Sequence, residues 1–179
     1  MNKGILLVLS GYLMWGCFPL YWALLNHVNP SEVLIHRMLW AVPVLFFLVH
    51  FKASWKSNFK ESLSSKKELV LLFITAILIT INWGGYIYAV NLGRVVEASM
   101  GYFLSPVINM IGGYIFFNER ISKLKQLAVF FATVGALYYV FSGDSFPWLG
   151  FLVGLTFSAY GIARKAMASS AVPGLYIET

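Results

Sequence analysis

Six stretches of this chain are each long and apolar enough to cross a lipid bilayer, and that pattern restricts the fold more than any motif does. A helix needs about 20 mostly apolar residues to traverse a hydrocarbon core of about 30 Å. Residues 4–25, 32–50, 69–90, 98–117, 124–141 and 146–163 meet this requirement, and a seventh apolar run opens near Pro173. Lipid satisfies no backbone hydrogen bond, so only helices or closed barrels can span it. No segment alternates with period two for long enough to make a barrel strand. An all-α integral membrane protein is therefore expected. A soluble fold is excluded by composition: 59% of residues are hydrophobic and 11% charged, whereas a soluble domain of about 150 residues leaves roughly 30% of its unfolded-chain surface in water.

Several function classes fall away. The net charge of +6 is spread between apolar runs and forms no groove-reading nucleic-acid motif. The single cysteine, Cys17, rules out an internal disulfide framework and a cysteine-rich metal site. The sequence has no phosphate-cradling Gly-x-x-x-x-Gly-Lys-Ser/Thr loop, no His-Glu-x-x-His metal motif, and no serine or cysteine with a plausible base and orienter. No enzyme, no cofactor and no metal is predicted. Lys3 ahead of an apolar run resembles the start of a signal peptide, but the run is too long for one and lacks a small-residue cleavage site. Met14-Trp15-Gly16-Cys17 resembles a lipoprotein cleavage box, against which the bulky Trp15 argues.

The basic residues orient the chain. Lys3, then Lys52, Lys56, Lys60, Lys66 and Lys67, then Arg120, Lys123 and Lys125, then Arg164 and Lys165 make eleven of the thirteen, all in alternate links. The intervening links 26–31 and 142–145 have none, and 91–97 has only Arg94. A cytoplasmic N-terminus in a cell inner membrane follows, with residues 51–67 and 142–145 on opposite faces. Within the second link, Phe51, Trp55, Phe59 and Leu63 recur beside the Lys52, Lys56, Lys60 row. That arrangement fits either a short amphipathic helix on an anionic leaflet or a basic loop that only sets topology.

Local signals sharpen the boundaries. Asn29-Pro30-Ser31-Glu32 reads as an N-cap, a proline at the first helical position, and a carboxylate reaching back to the cap. Pro106 removes a backbone hydrogen bond inside the fourth run and predicts a kink. Gly150, Gly154, Ser158 and Gly161 give the sixth run a small-residue stripe for close helix contact.

The sixth run also resembles the first. A shift of 145 places Trp15-Gly16 on Tyr160-Gly161, and a shift of 142 places Leu34-Ile35-His36-Arg37 on Tyr176-Ile177-Glu178-Thr179. The copies are offset by five runs, and an odd offset turns the second copy upside down. Inverted repeats are an architecture of secondary transporters, with the solute site near the midplane. Residues 4–141 would form the first five-helix repeat and residues 146–179 the beginning of the second.

Glu32-Val33-Leu34-Ile35-His36-Arg37, Asn82-Trp83, Ala89-Val90-Asn91, Glu97-Ala98-Ser99-Met100-Gly101-Tyr102-Phe103 with Pro106 and Asn109, Asn118-Glu119-Arg120 with Gln126 and Gly135, and Tyr160-Gly161 with Arg164-Lys165 follow one another in an order and spacing that resemble the drug/metabolite transporter superfamily. The resemblance is to its EamA-type branch and, within that, to RarD-type (chloramphenicol-sensitivity) permeases. It implies a ten-helix permease of two inverted five-helix repeats that moves metabolites or drugs, of which this chain would cover roughly the first 60%. The partners implied are a small-molecule solute, the lipid bilayer and the missing half or a second copy. The alternative is a truncated, non-transporting helical scaffold.

Ionisable groups at membrane depth are costly and usually functional, which singles out His36 and Arg37 as pathway residues. The bland reading pairs Arg37 with Glu32 and gives His36 an interhelical hydrogen bond. Asn82 with Tyr86, and Tyr102, Ser105 and Asn109 along one face, could line a polar cavity with aromatic walls or bond between helices. Tyr12 and Trp15 could face the same cavity or belong to an interfacial belt. Arg94 and Glu97, three apart, read as an ion pair or a gate, with Glu32 a third gate candidate.

Overall fold

The computed structural model describes residues 3–143 and 145–179, the side chain of Lys3 excepted; Asp144, in the link between the fifth and sixth runs, lies outside it. Among the described residues eight helices follow one another: α1 (Lys3–Leu24), α2 (Pro30–Phe51), α3 (Ala53–Ser64), α4 (Lys66–Asn91), α5 (Val95–Phe117), α6 (Lys123–Ser142), α7 (Trp148–Lys165) and α8 (Ala171–Glu178). Among the described residues there is no strand. The protein is all-α.

Five helices, α1, α2, α4, α5 and α6, are long and apolar enough to cross a membrane. The sequence led us to expect α7 as a sixth, and it falls short of that measure. It has 18 residues and closes on Arg164 and Lys165. Its neighbours explain the difference: α7 lies against α5 and α4, and a helix wrapped in protein can carry glycine and serine where a lipid-facing one carries leucine.

The α5–α7 contact is the tightest in the molecule. Gly101, Gly150 and Gly154 bring the two backbones so close that a Cβ on Gly154 would lie 2.6 Å from the Gly101 carbonyl oxygen. The stripe expected on α7 is thus buried at Gly150, Gly154 and Ser158, while Gly161 is exposed. Beside it Tyr86, Ala89, Val90, Ala98, Leu149 and Val153 form the core.

The links alternate between two ends. At one end, the Asn58 Oδ1 accepts from the Ser170 N–H at 2.7 Å, the Glu68 Oε1 accepts from the Ala168 N–H at 3.0 Å, and Lys165 pairs with Glu119. At the other, the Asn91 Nδ2 donates to the Asn26 carbonyl at 3.1 Å, and the Leu149 N–H donates to Glu97 at 2.8 Å. The lysine-rich links therefore gather at one end and the lysine-poor links at the other.

Two local expectations need correction. Asn29 caps α2, its side chain accepting from the Ser31 N–H at 3.0 Å, but among the described residues Glu32 makes neither the return bond to the cap nor an ion pair with Arg37. The lysine-rich link does contain a helix, α3, rather than a loop that only sets topology, but its apolar residues do not all share one free face. Trp55, Asn58, Phe59 and Ser62 turn inward, with Phe59 5.3 Å from Tyr176 of α8, whereas Phe51 and Leu63 are exposed. Contact with α8 and with the link before it, rather than the strongest apolar repeat, sets that helix's rotation.

Candidate functional site

An aromatic cavity of about 280 Å³ lies among α1, α2, α4, α5, α7 and α8. Helical periodicity builds its walls. Trp15, Phe18 and Trp22 stand on one face of α1, and Ile79, Trp83 and Tyr86 on one face of α4, each set spaced by three or four residues so that the side chains stack above one another. Tyr102 comes from α5, Phe157 and Tyr160 from α7, and Leu175 from α8. Trp15, Tyr102 and Phe157 meet edge to face, with centroids 5.4 to 5.8 Å apart, and Tyr86 lies 5.7 Å from Tyr102.

Arg37 is the one charged residue in that wall. Its guanidinium lies 3.8 Å from the centre of the Trp83 ring and 5.8 Å from that of Trp22. Cation–π contacts of this kind are worth up to about 2 kcal/mol where water is excluded, which explains how an arginine is held at this depth. Among the described residues no carboxylate lies within ion-pairing distance of it. His36 points elsewhere, into a second groove of about 500 Å³ between the ends of α1 and α2 that also touches Glu32 and Trp40. Arg37 and Trp22 border both spaces.

Of the residues singled out from sequence, Trp15, Arg37, Tyr86 and Tyr102 meet at the aromatic cavity. Tyr12 is 68% exposed on α1 and is not part of its wall. Asn82 and Ser105 sit in helix seams instead. The Asn82 Nδ2 donates to the Val153 carbonyl at 2.8 Å and to the Thr156 hydroxyl at 3.2 Å, leaving its buried Oδ1 without a partner. The Ser105 hydroxyl lies within reach of the carbonyls of Gly101 and Gly154, at 3.3 and 3.5 Å. Asn109 borders a separate space with Pro106, Glu119 and Arg120.

Arg94 and Glu97 form the expected i,i+3 pair at 2.5 Å. Glu97 is buried, and its other oxygen accepts the Leu149 N–H. Pro147, the residue before α7, offers no side-chain cap, so a carboxylate from α5 satisfies one of the free N–H groups that every helix start exposes.

Beneath the cavity floor lies a polar cluster that sequence reasoning did not assemble. Glu178 accepts from the Thr75 hydroxyl at 2.6 Å and the Tyr160 hydroxyl at 3.0 Å, and its carboxylate is 3.4 Å from the Arg164 guanidinium. Arg164 also donates to the Ser169 hydroxyl and the Ser170 carbonyl. A side chain on Gly174 would collide with that guanidinium. Thr75 is 103 positions from Glu178, and no spacing pattern pairs them. Trp22 and Tyr160 were missed as cavity residues because nothing in one sequence distinguishes an inward aromatic from a belt aromatic.

The five long apolar helices fit a multi-pass membrane protein, and the aromatic cavity lies among its helices. The EamA-like transporter family matches residues 2–141, and the chain belongs to that family. Over 180 residues it is 35% identical to the uncharacterized transporter YojE of Bacillus subtilis, covering 99% of this chain and 60% of the relative. It is 35% identical over 178 residues to protein RarD of Escherichia coli, again 99% and 60% of the two chains. It is 30% identical over 180 residues to a chloramphenicol-sensitive protein RarD of Pseudomonas aeruginosa, covering 99% of this chain and 60% of that one. The chain thus spans about 60% of the length of the curated relatives it matches. No solved structure matches it.

Proposed function

We propose that this chain forms the first five-helix repeat, residues 4–141, and the opening helices of a second, inverted repeat, residues 146–179, of a secondary transporter for small metabolites or drug-like solutes. Alternating access would rock the two repeats about the aromatic cavity. The observation that carries this reading is Arg37, a cation without an acidic partner among the described residues, facing an aromatic chamber inside a five-helix membrane unit. Intramembrane charge of this kind marks a solute pathway. The clustering of lysine-rich links at one end supports a cytoplasmic N-terminus in the inner membrane. His36 lies on the approach to the cavity from the other end, and the Arg94–Glu97 pair is a closure point there rather than a solute ligand.

The test is flux. In vesicles containing the intact protein, Arg37→Ala should abolish solute movement under an imposed pH gradient, and His36→Ala should reduce it, with membrane levels unchanged. Undiminished flux in both variants would remove these residues from the pathway. A scaffold that only packs with a partner half is the second reading, favoured by α1, in whose span no residue is buried. A stable dimer with no flux of any solute would select it.

A further inference from the structure

Size, charge and wall chemistry together narrow what the cavity can hold, and this step rests on reading the cavity as the solute site. Small-molecule pockets run from about 300 to 1,000 Å³, so a space of about 280 Å³ suits a molecule of one or two fused rings. Trp15, Tyr102 and Phe157 cross at interplanar angles of 67 to 85°. A flat ring entering that corner finds a face on one side and edges on the other, the two geometries aromatic pairs prefer.

The charge is one-sided. Arg37 lines the cavity and no carboxylate does. Glu178 is separated from it by the Tyr160 ring, whose hydroxyl points away to reach that carboxylate, and Arg164 and Thr75 hold Glu178 there. Glu32 faces the neighbouring groove. A cationic solute would meet a guanidinium with nothing to offset it.

The contact with Trp83 places the guanidinium carbon over the ring face. The guanidinium N–H donors project from the edge in a planar fork, and among the described residues none of them makes a hydrogen bond to the protein. Two oxygens in one plane, as in a carboxylate, match that fork. We propose that the cavity binds a planar aromatic or heteroaromatic monocarboxylate, its ring in the corner of Trp15, Tyr102 and Phe157 and its carboxylate on the edge of Arg37.

Calorimetric titration of the protein in zwitterionic lipid nanodiscs tests this with four probes of similar size. These are 1-naphthoate, the neutral 1-naphthamide, the cationic 1-naphthylmethylammonium and the non-aromatic decalin-carboxylate. Naphthoate should bind about tenfold or more tighter than each of the other three, a difference of one decade in Kd. Arg37→Gln should bring naphthoate down to the level of the amide, and Arg37→Lys, which keeps the charge without the fork, should fall between. Equal binding of the ammonium or the amide to the unaltered protein would overturn the proposal without reference to any variant. So would a naphthoate preference that survives Arg37→Gln. Binding without flux would leave the solute class standing and sink the transporter reading. Flux of other solutes without naphthoate binding would do the reverse.

Discussion

Helices α1 and α7 resemble each other in sequence, yet the fold treats them oppositely. None of the residues in the apolar window of α1 is buried, whereas Leu149, Gly150, Val153, Gly154 and Ser158 of α7 are. α7 is fastened at its start by Glu97 and at its finish by the Glu119–Lys165 pair. α1 rests mainly on α4 and contributes a row of aromatic side chains. Small residues separate the two helices. Gly101 gives α7 a matching surface on α5, while a Cβ on Gly4, Gly11 or Gly16 of α1 would meet nothing within 4 Å. The glycines of α1 face no neighbouring side chain or backbone, whereas Gly150 and Gly154 of α7 face the α5 backbone.

The strongest way to break this contrast is to fill both helices alike. Gly154→Leu drives a side chain into the α5 backbone, and overpacking of that kind costs about 3 kcal/mol, whereas Gly11→Leu should leave stability unchanged. Thermal unfolding in bicelles compares the two, and equal loss would erase the distinction.

Asn82→Ala probes the α4–α7 seam with a smaller effect. Interhelical hydrogen bonds in membranes average about 0.6 kcal/mol. The loss should not exceed that, because the substitution also removes a buried Oδ1 that has no partner. A much larger loss in the same assay would show that the seam depends on this amide.

The smallest effect concerns pH. The hydrogen bond from Lys165, and then its charge, hold the Glu119 carboxyl below its ordinary value of 4.5. A depressed carboxyl contributes stability above its unfolded-state value and loses it as pH falls through the folded-state value. Acidification below about pH 4.5 should therefore loosen the end of α7, and Glu119→Gln should remove that acid-side dependence. The pair is exposed, so the shift in midpoint should be slight and should vanish in high salt.

The sequence carried the helices well, because spanning lipid demands length and apolarity that no other role in this chain requires. Asn29 and Pro30 placed the start of α2, and the Gly150–Gly154 stripe pointed to a close contact without naming Gly101 as its partner. The single apolar face read on α3 is split: Trp55 and Phe59 turn inward with Asn58 and Ser62, while Phe51 and Leu63 are exposed. At the site, Arg37 stood out because a charge in an apolar run is conspicuous. Asn82 and Ser105 drew notice for the same reason, yet their hydrogen bonds tie helices together. The polar group was legible in each case, and which surface it faced depended on tertiary packing.

The carboxylate of Glu97 has a mechanical consequence. It closes the salt link at the start of α5 and also caps α7, so pulling those two helices apart at that end would uncap α7 while leaving the pair with Arg94 in place. Rocking of the two proposed repeats would therefore have to release that bond first.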